Sequence, residues 1–215
     1  MAVSYNYIVI EGNIGAGKTT LATRIAEQYN ARLILERYAD NPFLPKFYSD
    51  PEKYSFPLEL SFLADRYRQL KDELVAMDLF KSFTIADYYF MKSLVFAAST
   101  LTGDEFNLYR QIFYIIYGTL PKPDLYVYLH LNPERLLQNI EKRGRSYEKT
   151  ITGEYLKKIQ DNYFSFFKQN PENKYLVIDI NEVDFVENEK HYLRITDIIF
   201  NNEYPAGLNK VILQE

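Results

Sequence analysis

The segment from Gly12 to Thr19 constrains the fold of this chain more than any other, because it fits the pattern GxxxxGK(S/T) at every fixed position. Before it, Tyr5–Glu11 is predicted as a buried strand, and after it Thr20–Tyr29 is predicted as a helix with one apolar face. Glycines let a backbone wrap around a phosphate, and the loop N–H groups together with the helix N-terminus favour its negative charge. The segment is therefore predicted to be a phosphate-binding loop (P-loop); a Gly-rich turn that binds nothing is the alternative.

Two side chains of this loop have predicted chemical roles. Lys18 is expected to reach the β- and γ-phosphates of a nucleotide, and the hydroxyl of Thr19 is expected to bind Mg²⁺. The nucleotide-binding residues predicted from the motif are Gly12, Asn13, Ile14, Gly15, Ala16, Gly17, Lys18, Thr19 and Thr20.

Composition limits the classes of partner without adding chemistry. The 215 residues are 47% hydrophobic, yet no apolar run is long enough to cross a membrane. Because the first predicted strand begins at Tyr5, we expect no signal peptide. The chain has no cysteine, which excludes disulfides and thiolate metal sites, and its net charge of -4 argues against a broad nucleic-acid surface. We therefore expect a cytoplasmic protein without membrane or nucleic-acid partners.

Short apolar runs alternate with longer helical patterns, which predicts a parallel sheet with helices on both faces. Besides the first strand, the predicted strands are Ala31–Glu36, Phe83–Asp87, Asp124–Leu131 and Lys174–Ile180. The further predicted helices are Pro51–Val75, Tyr89–Thr100, Glu105–Tyr117, Pro133–Lys142, Gly153–Lys168 and Lys190–Phe200. The predicted fold class is thus α/β, of the P-loop NTPase type, with five parallel strands in a single domain over residues 1–215. The aromatic helices of the middle third either cover the sheet or also form a dimer face.

A second group of basic residues follows the predicted helix Pro133–Lys142. The segment 143–153 contains Arg143, Arg145 and Glu148 together with two glycines. Arginine pairs well with phosphate oxygens because its planar fork presents several donors. In a P-loop protein, such a segment is predicted to be a lid that closes over a triphosphate, excludes water and supplies charge to the transition state. A solvated charged loop is the alternative.

The ordered set of motifs resembles the deoxynucleoside kinases, P-loop enzymes that phosphorylate the 5′-hydroxyl of deoxynucleosides. The resemblance covers nearly the whole chain. It rests on GNIG at Gly12–Gly15, NPFL at Asn41–Leu44, FY at Phe47–Tyr48, PEKYSF at Pro51–Phe56, PDL at Pro123–Leu125, LNPE at Leu131–Glu134, RGR at Arg143–Arg145, Glu148, YL at Tyr155–Leu156 and DF at Asp184–Phe185. In the family the last pair lies near the adenine of ATP, which implies a nucleotide-binding role for Asp184 and Phe185.

The resemblance also implies roles in catalysis and sugar binding. Glu36 lies where the family has its general base for the 5′-hydroxyl. A carboxylate suits this position because the attacking oxygen must lose a proton. Tyr48 and Glu148 match the groups that hold the 3′-hydroxyl, and such a pair leaves little space at the 2′ carbon. Arg143 and Arg145 match the arginines of the family's lid.

Base recognition is predicted from three residues. Arg66 matches a base-facing arginine, Glu59 replaces a family glutamine, and Lys92 replaces a second acid in a gapless alignment. Guanine offers N1–H and N2–H₂ donors beside an O6 acceptor. Glu59 is therefore predicted to accept from the donors while Lys92 or Arg66 donates to O6, which favours deoxyguanosine-like substrates. The alternative is an ion pair of Glu59 with Lys92 or Arg66 that is indifferent to the base.

The segment Thr84–Phe90 departs from the family, which has an acid-Arg-Ser triplet after its third strand. Asp87 ends an apolar run, as an acid that contacts Mg²⁺ does in a P-loop fold. The gapless alignment instead puts Ala86 at the acid and Asp87 at the arginine, and the sequence leaves both alignments open.

Together these features predict an active deoxynucleoside kinase that uses ATP and Mg²⁺ and slightly favours a purine; the resemblance also implies a homodimer. One alternative is a nucleoside monophosphate kinase, against which Tyr48, Glu148 and the Glu36 segment argue. Another is a catalytically weakened nucleotide-binding or regulatory module, which the missing arginine supports.

Overall fold

Six strands form one sheet in the part of the chain that the computed structural model describes, residues 5–37, 41–75 and 80–214. The strands are β1 (Tyr7–Gly12), β2 (Arg32–Ile34), β3 (Thr84–Ala86), β4 (Leu125–His130), β5 (Lys174–Asp179) and β6 (Gly207–Ile212). Their order is β2-β3-β1-β4-β5-β6, and every neighbouring pair is parallel. The helices are α1 (Lys18–Gln28), α2 (Leu44–Ser49), α3 (Pro51–Val75), α4 (Met91–Thr100), α5 (Gly103–Tyr117), α6 (Pro133–Arg143), α7 (Gly153–Gln169) and α8 (Glu189–Phe200).

The prediction of five strands was incomplete, because β6 adds a sixth strand at the edge beside β5. Its side chains alternate between half-buried and exposed, and polar residues such as Asn209 and Lys210 interrupt the apolar run that marks the central strands. Helix α2 was also missed. It has only 6 residues and begins with Leu44-Pro45, too short a segment for a helical period to show.

Helices cover both faces of the sheet because the strand side chains alternate between two apolar clusters. Ile8 and Ile10 of β1 pack in the cluster that contains buried residues of α1 and α8. Tyr7 and Val9 point to the opposite face and pack with buried residues of α4, α5 and α7. None of the described helices is long and apolar enough to span a bilayer.

The carboxyl ends of the strands meet at one edge of the sheet, where ligands bind in open α/β folds. The register pairs Val9 with Ala86 and Ile34 with Ala86, so β2 and β3 end side by side next to β1, which continues in the same direction to Gly12. The P-loop follows β1, Glu36 follows β2 and Asp87 follows β3. Sheet topology alone therefore brings these three segments together.

Candidate active site

The P-loop between β1 and α1 requires glycine at two positions. Gly15 and Gly17 both have φ 83°, in the left-handed region that favours glycine. A Cβ atom on Gly15 would lie 2.9 Å from the carbonyl oxygen of Leu136, and one on Gly17 would lie 2.8 Å from Cζ of Phe185. The loop is thus packed tightly against α6 and against the segment between β5 and α8.

Two asparagines hold the loop in place. The Nδ2 of Asn13 donates to the carbonyl of Leu156 on α7 (2.7 Å), while its Oδ1 accepts from the backbone N–H of Ile14 (2.9 Å). On α6, Asn139 donates through Nδ2 to the carbonyl of Gly15 (2.8 Å). Asn13 therefore shapes the loop from within, and Asn139 is a site residue that the sequence reasoning missed.

Lys18 is the first residue of α1 and lies partly buried at the base of the cleft. Its Nζ donates to the carbonyl of Asn13 at 2.8 Å. Burial and the nearby charge of Lys92 lower the pKa of Lys18 to about 8, against the opposing effect of carboxylates that include Glu11 and Glu36. The ammonium group is still mostly charged at neutral pH.

The carboxylate of Asp87, directly after β3, joins the first turn of α1 to the segment that follows β2. The Oγ1 of Thr19 donates to its Oδ2 at 2.5 Å, and the backbone N–H of Glu36 donates to its Oδ1 at 2.8 Å. A hydroxyl and a carboxylate are the hard oxygen ligands that Mg²⁺ takes, usually together with water and substrate phosphates. No group of three or more His, Cys, Asp or Glu side chains in the described ranges could hold a metal by itself. The Thr19–Asp87 pair therefore fits a Mg²⁺ ion that a bound nucleotide helps to hold.

Glu36 lies between two cations. Arg66 of α3 donates to its Oε1 through Nε (2.9 Å) and Nη2 (2.8 Å), and the ammonium of Lys92 on α4 donates to its Oε2. Burial alone raises the pKa of Glu36, but the charges and hydrogen bonds of Lys92 and Arg66 outweigh it and lower the pKa to about 2. The carboxylate is therefore fully ionised at neutral pH.

Glu59 on α3 makes neither of the ion pairs considered from the sequence. Its Oε1 accepts from Thr100 Oγ1 at 2.8 Å, whereas Oε2 has no hydrogen-bond partner in the described part of the chain. Only 2% of Glu59 is exposed, and burial raises its pKa to about 7, against the hydrogen bond from Thr100 and the charge of Arg66. The interpretation that Glu59 pairs with Lys92 or Arg66 was wrong, because both cations bind Glu36 instead.

The arginines of the predicted lid converge on one buried carboxylate. Arg143 ends α6 and donates to Glu148 through Nε (3.1 Å) and Nη2 (2.5 Å), while Nη1 of Arg145 lies 3.4 Å from the same carboxylate. Gly144, between them, turns the chain with φ 73°. Close by, the ring of Tyr48 on α2 stacks on that of Tyr147 at 5.9 Å between centroids. The residues predicted to bind the sugar and the arginines of the predicted lid thus lie next to one another.

Phe185 and Asp184, in the segment between β5 and α8, shape the cleft from below. Phe185 is 4% exposed and packs against Gly17, and its carbonyl accepts from Arg24 of α1 at 2.5 Å. The Oδ1 of Asp184 accepts from the backbone N–H groups of Val186 (2.9 Å) and Glu187 (3.1 Å). Both side chains line the larger cavity while maintaining the local backbone.

Two cavities open at this edge of the sheet. One, of ≈ 730 Å³, is lined by the P-loop and by residues 183–186; the other, of ≈ 130 Å³, is lined by Tyr48, Glu59, Arg66, Lys92 and Glu148. Six residues line both cavities: Lys18, Thr19, Glu36, Asp87, Arg143 and Arg145. All the residues predicted as catalytic therefore lie where the two cavities meet.

Glu11 is a second residue that the sequence reasoning missed. It is fully buried on β1, where Oε1 accepts from the backbone N–H of Tyr89 and Oε2 from the hydroxyl of Tyr163, both at 2.8 Å. Burial raises its pKa to about 7, although Lys92 and Lys18 oppose the shift. The sequence signal that could have identified Glu11 is an acidic residue within an apolar strand, because a buried carboxylate needs hydrogen-bond or charged partners.

This fold, with two adjoining cavities beside the P-loop, defines a P-loop kinase. The sequence profile of the family described as Deoxynucleoside kinase matches residues 8–203, so the chain belongs to the deoxynucleoside kinase family. The predicted family, the α/β fold class and a kinase that phosphorylates a deoxynucleoside are confirmed.

Named relatives agree with this membership. The chain is 39% identical over 193 residues to a deoxyguanosine kinase of Bacillus subtilis (strain 168), covering 88% of this chain and 93% of that protein. It is 32% identical over 186 residues to a deoxyadenosine kinase of Dictyostelium discoideum, covering 86% and 75%. A solved deoxyadenosine kinase from M. mycoides with bound dATP superposes with a TM-score of 0.76 at 25% identity, covering 91% of this chain and 99% of that one. The roles of single residues and the cytoplasmic location stay predictions.

Proposed function

We propose that the protein transfers the γ-phosphoryl group of ATP to the 5′-hydroxyl of a deoxynucleoside, with a purine favoured. The observation that carries the proposal is the set of six residues that line both cavities. A triphosphate in the larger cavity and a nucleoside in the smaller one would bring the donor phosphorus and the acceptor oxygen together among these side chains. The names of the two relatives, a deoxyguanosine and a deoxyadenosine kinase, support the purine.

On the donor side, the backbone N–H groups of the P-loop and the Lys18 ammonium hold the phosphates. Phosphoryl transfer depends mainly on positioning and on charge stabilisation, because the reacting group passes through a loose transition state. Thr19 and Asp87 would hold Mg²⁺, which neutralises charge on the phosphate oxygens when bound. Arg143 and Arg145 add charge from the lid.

On the acceptor side, Glu36 orients the 5′-hydroxyl and takes its proton. The 5′-oxygen forms a bond to the γ-phosphorus, the bond from that phosphorus to the β-phosphate oxygen breaks, and the proton passes to the carboxylate of Glu36. An ionised carboxylate in a fixed orientation can take this proton, because in a loose transition state the hydroxyl loses its proton late. This is why a carboxylate of low pKa can act here.

The sugar is held by Tyr48 and Glu148. Glu148 also binds Arg143 and Arg145, so the carboxylate that meets the 3′-hydroxyl is joined directly to the lid. Binding of a deoxyribose would therefore place the lid arginines over the transferring group. The alternative of a monophosphate acceptor is disfavoured, since an acidic and aromatic pair repels a phosphate.

Base preference rests on Glu59 alone. Glu59 lines the smaller cavity, and its buried Oε2 has no hydrogen-bond partner in the described part of the chain, whereas Arg66 and Lys92 are held by Glu36. When ionised, Glu59 accepts from N1–H and N2–H₂ of guanine; when protonated, it donates to N1 of adenine. A carboxyl whose pKa lies at about 7 accommodates both purines near neutral pH.

We also propose that residues 1–215 form a single domain and that two copies associate through α3 and α5. One sheet contains strands from both ends of the described chain. On α5, Leu108, Tyr114 and Ile115 are exposed, Ile115 to 74%, beside a groove that α3 and α5 line together. Sedimentation velocity tests the dimer: Ile115→Glu should dissociate it, and Ile212→Glu on β6 should not. A monomeric wild type would reject it.

The proposed function is tested with a panel of acceptors. Purified protein with ATP and Mg²⁺ is incubated separately with deoxyguanosine, deoxyadenosine, deoxycytidine, guanosine and dGMP, and ADP formation is measured. We expect turnover with the deoxynucleosides, fastest with a purine. Turnover with dGMP alone would favour a monophosphate kinase, and nucleotide binding without turnover would favour a regulatory module.

A further inference from the structure

The first turn of α4 contacts both partners of a buried ion-pair group. Lys92 and Ser93 are consecutive residues of this turn. The ammonium of Lys92 binds Oε2 of Glu36, and Oγ of Ser93 accepts from Nη1 of Arg66 at 3.0 Å. The side chains of Lys92 and Glu36 are only 9% and 10% exposed. The contact is therefore built into the fold and shielded from solvent.

We propose that Lys92 is a positioning residue that orients the carboxylate of Glu36 toward the acceptor hydroxyl, and that it does not select the base. This inference rests on the proposed role of Glu36 as the residue that accepts the 5′-hydroxyl proton. It differs from the prediction made from the sequence, in which Lys92 or Arg66 donates to O6 of the base.

Glu36 needs a second contact to be fixed. It lies beyond the end of β2, outside any regular element, and its backbone N–H donates to Oδ1 of Asp87. Arg66 binds Oε1 through two nitrogens and leaves Oε2 free to turn about that anchor. With Lys92 on Oε2, both oxygens are held, which defines the plane of the carboxylate. Side-chain orientation of this kind accounts for large factors in rate, since a misplacement of 1 Å can cost about 10²-fold.

Lys92 is also at the wrong end of α4 to act with Glu59. The base-facing carboxyl of Glu59 binds Thr100, the last residue of α4, whereas Lys92 lies in its first turn. At a rise of about 1.5 Å per residue, the two positions are separated by roughly 12 Å along the helix axis. The acceptor hydroxyl and the base lie at opposite ends of a nucleoside, so the two ends of α4 match the two ends of the substrate.

The test compares Lys92→Met, Lys92→Gln and Lys92→Arg with wild type, and uses Lys168→Met, at an exposed lysine in the last turn of α7, as the matched control. Turnover number and KM are measured for deoxyguanosine and deoxyadenosine at saturating ATP, with circular dichroism as the check on folding. We expect Lys92→Met to lower kcat for both nucleosides by a similar factor, on the order of 10²-fold. KM and the ranking of the two bases should change little, and Lys92→Arg should restore most of the lost kcat. If Lys92→Met does not fold, Lys92→Gln, which removes the positive charge beside Oε2, should likewise lower kcat for both nucleosides by a similar factor and leave the ranking of the bases unchanged.

A double-mutant cycle shows whether Lys92 acts through Glu36. In the Glu36→Gln background, Lys92→Met should lower kcat little further, because interacting residues give non-additive effects. If the effects of Lys92→Met and Glu36→Gln on kcat multiply in the double variant, the two residues act independently and the inference is overturned. A Lys92→Met variant that keeps its kcat but ranks the two bases differently would also overturn it. Wild-type turnover of deoxynucleosides reports on the proposed function, whereas the ratios between variants report on Lys92, so the two failures are distinguishable.

Discussion

Replacing Glu59 by glutamine should change how the stability of the protein depends on pH. Glu59 is 2% exposed, and burial raises its pKa from 4.5 to about 7. A carboxyl with a raised pKa in the folded state binds its proton more tightly there than in the unfolded chain. Stability from the neutral form is therefore fully present below pH 4.5 and is lost as the pH rises toward 7. At about 1.4 kcal/mol per pKa unit, the whole loss is about 3 kcal/mol.

Urea unfolding of wild type and Glu59→Gln between pH 5 and pH 8 measures how the contribution of Glu59 to the free energy of unfolding depends on pH. Other groups titrate in both proteins, so the informative quantity is the difference between their free energies of unfolding at each pH. We expect the free energy of unfolding of wild type to fall by about 2–3 kcal/mol relative to that of Glu59→Gln between pH 5 and pH 8. This is less than the whole loss because Glu in the unfolded chain is already largely ionised at pH 5. A difference that does not vary with pH would refute the argument that Glu59 is buried without a charged partner.

The same titration should alter base selection. Ionised Glu59 accepts from the N–H donors of guanine, and protonated Glu59 donates to N1 of adenine. Between pH 6 and pH 8, KM for deoxyguanosine should fall and KM for deoxyadenosine should rise, and Glu59→Gln should abolish the divergence. Parallel changes in both KM values would show that Glu59 does not contact the base.

Two further predictions concern the junction of the cavities. Glu36→Gln should keep ATP and nucleoside binding, measured by calorimetry, and lower kcat by about 10²–10⁴-fold, because the acceptor for the hydroxyl proton is lost. If Glu36→Gln turns over normally while Asp87→Asn is inactive, Asp87 rather than Glu36 is the general base. Arg143→Ala and Arg145→Ala should lower kcat more than they raise KM for the deoxynucleoside, in steady-state assays with the exposed Lys149→Ala as control; changes in nucleoside affinity alone would make the segment a binding loop.

The sequence predicted most of the site because its signals are local or follow from sheet topology. The P-loop is a contiguous motif, and its glycines are required by backbone conformation and by the close approach of Leu136 and Phe185. Glu36 and Asp87 each follow a short apolar strand, and parallel strands bring their carboxyl ends to the P-loop. The proximity of Lys18, Glu36 and Asp87 thus follows from the motif and the parallel sheet and does not depend on how the helices pack.

The pairing of charged side chains was not predictable in the same way. Lys92 and Glu36 are 56 residues apart and meet only because α4 packs at a particular rotation beside the end of β2. Sequence spacing gave no means of choosing between Glu36 and Glu59 as the partner of Lys92. Strand β6 was missed for a related reason: an edge strand with one exposed face lacks the continuous apolar run of a buried strand.

Phosphoryl transfer from ATP to the 5′-hydroxyl is tested most directly by locating the phosphate in the product and by measuring whether transfer requires Lys18. The protein is incubated with ATP, Mg²⁺ and deoxyguanosine, and ³¹P NMR with mass spectrometry identifies the product for wild type and for Lys18→Ala. We expect one 5′-monophosphate per ATP consumed, and a loss of about 10²–10³-fold in rate for a Lys18→Ala variant that keeps its circular dichroism spectrum. Phosphate on another atom, ATP hydrolysis without transfer, or near-normal turnover by folded Lys18→Ala would contradict it.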